Sequence, residues 1–181
     1  MKTRDDAIKL MHENIKSDSL RKHCLCVAAS MELYAEKFNE DKDKWWICGL
    51  LHDFDWEIHP TMEQHPVEGV KILREKGYEE EICRAILGHG NHTGVKRESL
   101  MAKTLFAVDE LSGLIFALAK VKKGFEMNAE SVKKAMKKKG FAAAINRDDI
   151  KQGISEMQVN EKEHFSLVIS ALSKIKNELG F

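Results

Sequence analysis

Proline is almost absent from this chain, and its rarity is the feature that most constrains the fold. The 181 residues contain two prolines, Pro60 and Pro66, and eleven glycines. Between these breaks the apolar residues recur every three to four positions, which is the spacing of an amphipathic helix. Strictly alternating runs of β-branched residues, which would indicate strands, are missing. The pattern therefore predicts an all-α protein.

Cap and break residues predict where the helices begin and end. Ser17 or Asp18 can cap the second helix, Pro66 suits the first turn of the fourth, and Gly77 suits its C-terminus. After Gly124 we expect shorter helices and a terminal amphipathic helix over 161–179, whose exposed apolar face leaves room for a homodimer. The first six helices are predicted at 4–15, 18–38, 42–54, 66–77, 79–87 and 98–122.

The chain carries no sign of a second domain, and its composition excludes several function classes. We expect one domain over 1–181, with a core at about 18–122 and a helical extension at about 124–181. The net charge is zero, so neither a membrane nor a specific nucleic acid is expected as a partner. No apolar segment is long enough to span a bilayer, and the first residues resemble no signal peptide, so a cytoplasmic protein is predicted. The four cysteines form no CxxC pair, and we expect all four to be buried small hydrophobes.

The strongest chemical signal is an adjacent histidine and aspartate at the end of an apolar helix. His52 and Asp53 lie in the string ICGLLHDFDWE. Neighbouring residues on a helix point about 100° apart, yet a metal ion beside the helix end can reach both, because imidazole and carboxylate groups differ in length. The pair offers one nitrogen and one oxygen ligand, which suits a divalent transition metal.

Two further residues add weaker signals. His23 lies on the apolar side of the second predicted helix, between Leu20 and Val27; taken alone, it is more often a hydrogen-bonded core histidine than a ligand. Asp109 interrupts the apolar run LFAVDELSGLIFALA. A carboxylate on a buried helix face is costly unless it is paired or bound to a metal. The alternative is an exposed position, as we expect for Glu110 beside it.

The order of these residues resembles the HD superfamily of metal-dependent phosphohydrolases, which is named for its adjacent His-Asp pair. In that family the pair follows a histidine and precedes an aspartate, each on a successive helix. The matching positions here are His23, His52, Asp53 and Asp109. The resemblance implies a compact helical bundle of the HD-domain type, with a metal held at its centre by these four residues.

The resemblance extends to a second group of histidines. The segments HPVEGVKIL, which begins at His65, and AILGHGNH, which contains His89, are similar to the second-metal region of dinuclear HD proteins. They imply that His65 and His89 bind a second ion, and that Asp53 bridges both ions. His59 and His92 are the alternatives for these two positions. The remaining histidines, His12 and His164, are predicted at the surface.

The later segments VDELSGLI and SVKKAMKKKGFAAAINRDDI also resemble a group of small predicted HD-type hydrolases of undefined substrate. That likeness covers residues 21–157 and leaves the substrate open. The His-Asp pair is followed by Phe54 and Asp55, whereas the HDIG and HD-GYP subgroups carry other residues there. A cyclic-dinucleotide phosphodiesterase is therefore not expected.

These residues predict hydrolysis of a phosphoester in a nucleotide or another small phosphorylated metabolite, because divalent ions activate water and neutralise phosphoryl charge. Asp53 would act at the reaction centre. Asp55 is a candidate for a group behind the ligands or for a proton acceptor, the alternative being a surface carboxylate at a helix end. Lys96 and Arg97 follow His89 in a loop and are candidates for binding the substrate phosphate.

The sequence leaves the metal and two other functions open. Histidine and carboxylate ligands suit manganese, iron, cobalt, nickel and zinc alike, and either one ion or two could bind. An HD-type di-iron oxygenase would use the same six ligands, and a non-catalytic sensor could bind a metal or nucleotide there. The lysine-rich stretch 133–139 could fold over the site, although such a run is more often a solvated helix face.

Overall fold

The computed structural model describes residues 2–181, and the regular structure of this part is entirely helical. It consists of nine α-helices and one short 3-10 helix, Asn91–Thr93. The prediction of an all-α protein is confirmed. The α-helices are α1 Arg4–Asn14, α2 Asp18–Phe38, α3 Lys42–Leu51, α4 Val67–Glu75, α5 Glu80–Gly88, α6 Leu100–Lys122, α7 Ala129–Lys137, α8 Arg147–Met157 and α9 Glu161–Lys174.

Polar side chains determine where the first helices begin. Thr3 and Asp6 form a reciprocal capping box at α1, and Asp41 accepts two backbone N–H groups at the start of α3, so otherwise unpaired donors are satisfied. Ser17 occupies the N-cap position of α2, as predicted, but it makes no side-chain cap. Its hydroxyl instead donates to Glu57 at 2.6 Å, which fastens the start of α2 to the segment after α3.

α2, α3 and α6 meet in the core because small residues allow the first two to approach closely. A Cβ atom on Gly49 of α3 would lie 2.8 Å from the Cα of Ala28 on α2, closer than real side chains tolerate. α6 is apolar on most of its faces and is buried along nearly its whole length, as expected for a central helix. α2 and α6, which carry His23 and Asp109, therefore face each other and α3, which ends just before His52.

Several helix ends differ from the predicted ones. α3 ends at Leu51, three residues early, so the His-Asp pair lies in the turns that follow. α6 begins at Leu100 because the Ser99 hydroxyl accepts the N–H of Ala102 and caps the helix there. The terminal helix ends at Lys174, and residues beyond it form turns.

The last helices pack against α2 and α6. Gly153 of α8 lies against Ala107 of α6 so closely that an added Cβ would be 2.5 Å from the Ala107 Cα. The apolar side of α9, including Phe165, Val168 and Leu172, is buried. The expectation of an exposed apolar face on the terminal helix was therefore wrong, because α2, α6 and α7 cover it. A homodimer stays a prediction, but this helix face no longer supports it.

His164 also differs from its predicted surface position. It is buried in the core, where the Tyr34 hydroxyl donates to its Nδ1 at 2.5 Å and its Nε2 donates to the Ala107 carbonyl at 3.1 Å. Burial lowers the pKa of this imidazole to about 4. A histidine whose two nitrogens both find partners can lie in a core without charge. His12 is exposed, as predicted.

The four cysteines are free and buried, which confirms that they act as small core residues. Burial raises the pKa of the Cys24 thiol to about 12, which keeps it protonated and inert. Among the helices of the described residues, none combines the length and hydropathy needed to cross a membrane.

Candidate metal centre

The His-Asp pair lies just past the C-terminus of α3. His52 is fully buried, and its Nδ1 donates to the carbonyl of Gly49 at 2.8 Å. This contact holds the ring so that its Nε2 points towards α2 and α6. The side chain of Asp53 is 19% exposed and reaches the adjoining cavity. The ends of the two side chains meet, with the Asp53 Oδ2 3.3 Å from the His52 Nε2.

A first group of three potential ligands joins α2, α3 and α6. His23, His52 and Asp109 place one ligand atom each within 4.8 Å of the others. The His23 Nε2 lies 3.2 Å from the His52 Nε2 and 3.0 Å from the Asp109 Oδ1. We name this group the α2–α6 triad. The expectation that Asp109 is largely buried agrees with a side chain that is only 17% exposed.

A second group lies beside the first. Asp53, His65 and His89 also place their ligand atoms within 4.8 Å of one another. The His65 Nε2 is 3.2 Å from the Asp53 Oδ1 and 3.2 Å from the His89 Nε2. His65 comes just before α4, and His89 just after α5. We name this group the α4–α5 triad. The structure brings together all six residues predicted as ligands.

Asp53 faces both triads with different oxygens. Its Oδ2 lies 3.3 Å from the His52 Nε2, whereas its Oδ1 lies 3.2 Å from the His65 Nε2 and 3.4 Å from the His89 Nε2. A carboxylate in this position offers one oxygen to each of two ions. The geometry fits the bridging role that the resemblance implies for Asp53.

Hydrogen bonds behind three of the histidines fix which nitrogen carries the proton. The Nδ1 atoms of His52 and His89 donate to backbone carbonyls, and that of His65 donates to the Asp55 carboxylate at 2.9 Å. In the neutral rings the Nε2 atoms are therefore lone-pair acceptors. Two such acceptors would repel each other at the 3.2 Å that separates the Nε2 atoms of His65 and His89, so this geometry requires either a proton or a metal ion between them. The donor set therefore fits a divalent metal held by nitrogen and carboxylate ligands.

Asp55 lies behind the α4–α5 triad and is fully buried. One of its oxygens accepts from His65, and the other accepts the backbone N–H of Gly69 at 3.1 Å. A Cβ atom on Gly69 would collide with this carboxylate, so α4 needs a glycine in its first turn. Asp55 is absent from the cavity lining. This buried position agrees with the prediction of a group behind the ligands. The alternative, a surface carboxylate at a helix end, is wrong.

The charges of the cluster shift one another strongly. Burial raises the pKa of Asp53, but His52 and the other imidazoles outweigh it and hold that pKa well below its usual range. Burial lowers the pKa of His65, yet hydrogen bonds with Asp53 and Asp55 raise it to about 9. His65 is therefore protonated at neutral pH without a metal, and an ion must displace this proton when it binds.

Both triads open into a cavity of about 590 Å³. Its walls come from the segment after α3, the turn after α5, α6, and the first residues of α8. Glu110, expected at the surface, is half-buried on the α6 wall, where burial and the nearby Asp109 raise its pKa to about 7. The cavity lining is His23, Asp53, Trp56, Met62, His65, His89, Gly90, Asn91, His92, Phe106, Asp109, Glu110, Ala144, Ile145, Asn146 and Asp149.

Neither candidate for phosphate binding reaches this cavity. The guanidinium of Arg97 is bound to Glu156 at 2.7 Å and lies 3.7 Å from the centre of the Phe106 ring. Lys96 is exposed and lines a separate surface depression with Arg97. The lysines of 133–139 are also absent from the lining. The structure does not bring these basic residues to the candidate metal centre.

Several lining residues were not predicted from the sequence. Asn146 caps the start of α8 and Asp149 lies in its first turn, and the string NRDD does signal a helix start. This signal predicts that a helix begins here, but it does not predict where in the folded protein the helix start lies. It reaches the cavity because α8 packs on α6 through Gly153. His92, an alternative ligand, lines the cavity and lies 2.9 Å from the His65 carbonyl, whereas His59 does not line it.

Comparison with known proteins places these features in a family. The HD domain model matches residues 20–114, just over half of the chain and a span that contains all six residues of the two triads. Searches of curated proteins and of solved structures found no match. The match covers α2 to the middle of α6 and leaves the last three helices outside. The chain belongs to the HD domain family, a superfamily of metal-dependent hydrolases.

Proposed function

We propose that this protein is a phosphohydrolase that cleaves a phosphoester of a nucleotide or another small phosphorylated metabolite. The observation that carries the proposal is the pair of triads, which share Asp53 at the edge of a cavity large enough for a small metabolite. When bound there, divalent ions would activate water and neutralise charge on a phosphoryl oxygen. His23, His52 and Asp109 would hold one ion, His65 and His89 would hold the other, and Asp53 would contact both.

The chain's own residues orient the candidate ligands and line the cavity. Asp55 and the backbone carbonyls of Gly49 in α3 and Ile86 in α5 hold the imidazole rings in place, which is how outer contacts usually tune a metal site. The apolar side chains of Trp56, Met62 and Phe106 line the cavity beside the triads.

The first test is the metal content of protein purified without chelator or affinity-tag metal, measured by mass spectrometry. We expect about two ions per chain, and at most one in His65→Ala or His89→Ala, because each removes a ligand of the α4–α5 triad. His12→Ala, at an exposed position, should bind as the unchanged protein does. Two ions retained in both ligand variants would show that the α4–α5 triad is not a metal site.

The second test is turnover. A panel of phosphoesters, assayed with manganese and with cobalt, should release inorganic phosphate, and Asp53→Asn should abolish the release because it removes the shared charge. His12→Asn is the matched control. Bound metal without turnover on a broad panel would refute phosphoester hydrolysis and leave a metal-binding sensor.

One observation favours an alternative, a di-iron oxygenase of the HD type. Within residues 2–181 no lysine or arginine lines the cavity, and an oxygenase substrate need not carry a phosphate. A coupled-iron signal in electron paramagnetic resonance, together with oxygen uptake on addition of substrate, would support this reading. Bound zinc or manganese with phosphate release and no oxygen uptake would exclude it.

A further inference from the structure

The cavity lacks the cations that usually recognise phosphate groups. Arginine and lysine are the common phosphate-binding side chains, and neither type lines the cavity in the part of the chain that the structure describes. Arg97, which was predicted to bind phosphate, is instead held by Glu156, Asn91 and the Gly88 carbonyl. A phosphoryl group in the cavity would therefore be neutralised at the triads and not by basic side chains.

Two carboxylates that belong to neither triad line the same cavity. Glu110 follows Asp109 on α6, and Asp149 lies in the first turn of α8. The oxygens of Asp149 accept from the side-chain amides of Asn91 at 3.0 Å and Asn146 at 2.8 Å. These amide donors orient Asp149 but supply no positive charge. Glu110 is half-buried and lines the same cavity.

This charge distribution selects between possible substrates. Like charges brought together in a partly buried site are strongly unfavourable, and such repulsion commonly rejects wrong ligands. A second phosphate or a carboxylate on the substrate would face Glu110 and Asp149. An ammonium or hydroxyl group would instead find acceptors there. Apolar side chains on the same walls, Trp56, Met62 and Ile145, suit a carbon segment.

We propose that Glu110 and Asp149 determine specificity for a substrate with one phosphoryl group and a hydrogen-bond donor, ammonium or hydroxyl, at its non-reacting end. The inference rests on the proposed function in one respect, namely that the triads bind the phosphoryl end. Nucleoside diphosphates and triphosphates, and phosphorylated carboxylic acids, would be poor ligands.

The test uses alkyl phosphates of increasing chain length that end in an ammonium, a hydroxyl or a carboxylate group. For the metal-loaded protein, we expect kcat/KM to be at least about tenfold lower for the carboxylate series than for the other two at the best length, because of charge repulsion. Glu110→Gln and Asp149→Asn should reduce this difference. Asp148→Asn is the matched control, since Asp148 precedes Asp149 in the same turn but does not line the cavity.

A binding measurement separates this inference from the proposed function. Alkylphosphonates with the same three end groups cannot be hydrolysed, and calorimetry on the metal-loaded protein gives their affinities. Tighter binding of donor-ended ligands without turnover of the phosphates would support the specificity and refute the hydrolase. Carboxylate-ended ligands that bind equally well would overturn the specificity, whatever the turnover. If Glu110→Gln weakens ammonium-ended ligands more than hydroxyl-ended ones, the natural donor is cationic.

Discussion

Asp55 illustrates how a single buried carboxylate can organise a site that it does not enter. Both of its oxygens are used, one by His65 and one by the first turn of α4. The aspartate therefore fixes the ring orientation of one ligand and the position of a helix at the same time. Contacts of this kind usually account for a tenfold to hundredfold effect on metal affinity.

We predict that Asp55→Asn weakens binding at the α4–α5 triad by about tenfold to a hundredfold. The amide can accept from only one of the two N–H groups and has lost the charge that polarises His65. Competition with a chelator should show one weakened ion and one unchanged ion per chain, so the α2–α6 triad is an internal control.

Glu98→Gln, at an exposed carboxylate 3.7 Å from Arg84, controls for the loss of a negative charge. Equal weakening of both ions in Asp55→Asn would mean that the variant disturbs the fold and not one ligand.

The six residues of the two triads could be predicted from the sequence to lie together, but the rest of the cavity could not. These six residues stand in an order along the chain that resembles a family, and that resemblance identifies them as candidate ligands. Glu110 and Asp149 have no such order: they are 39 positions apart and meet because of how α8 packs. His164 was predicted wrongly for a similar reason, since its partners Tyr34 and Ala107 are distant in sequence.

At the scale of elements, the contact between α6 and α8 positions the wall that carries Asp149. Helices approach this closely only where one of them lacks a side chain, and Gly153 provides that gap against Ala107. The helix ends were predicted within a few residues wherever a local cap or break determines them, as at Ser17. Which helices pack together depends on close contacts such as that of Gly153 with Ala107, and the spacing of apolar residues in the sequence does not reveal such contacts.

We predict that Gly153→Ala lowers the free energy of unfolding by about 1–3 kcal/mol, because the added methyl group overpacks the contact. Alanine is the better helix former by about 1 kcal/mol, so a loss of stability would show that packing dominates. Gly140→Ala is the control, because a Cβ there would meet no atom within 4 Å. Chemical denaturation measures both variants; equal stability of the two would contradict the close contact.

At the scale of the whole molecule, His164 ties three distant helices together. It belongs to α9, accepts from Tyr34 on α2, and donates to a carbonyl of α6. The neutral imidazole satisfies both contacts, whereas a protonated ring would face the Tyr34 hydroxyl with a second donor. The packing of the C-terminal helices on the core therefore depends on this ring remaining uncharged.

The stability of the protein should fall in mild acid because of this residue. The pKa of His164 is about 4 in the folded protein and near 6.5 in an unfolded chain. The contribution of the neutral ring to the free energy of unfolding is therefore complete above about pH 6.5 and is lost as the pH falls towards 4. The difference between the two pKa values corresponds to about 3 kcal/mol of free energy of unfolding.

Unfolding by denaturant at pH 7.5 and at pH 4.5 measures this effect. His164→Gln can keep both hydrogen bonds without titrating, so its stability should depend less on pH than that of the unchanged protein. His12→Gln, at an exposed residue, should leave the pH dependence as it is. An identical pH dependence in all three proteins would show that His164 is not the titrating group.

The wall formed by residues 144–149 has a consequence for how this protein could diversify. It supplies none of the six ligands and lies outside the segment that matches the family model. Changes there can alter what the cavity accepts while the ion-binding machinery remains untouched. Part of the selectivity, the part carried by Asp149, is thus encoded on a stretch of chain separate from the two triads, and a transplant of α8 with its preceding turn is the natural route to a new preference.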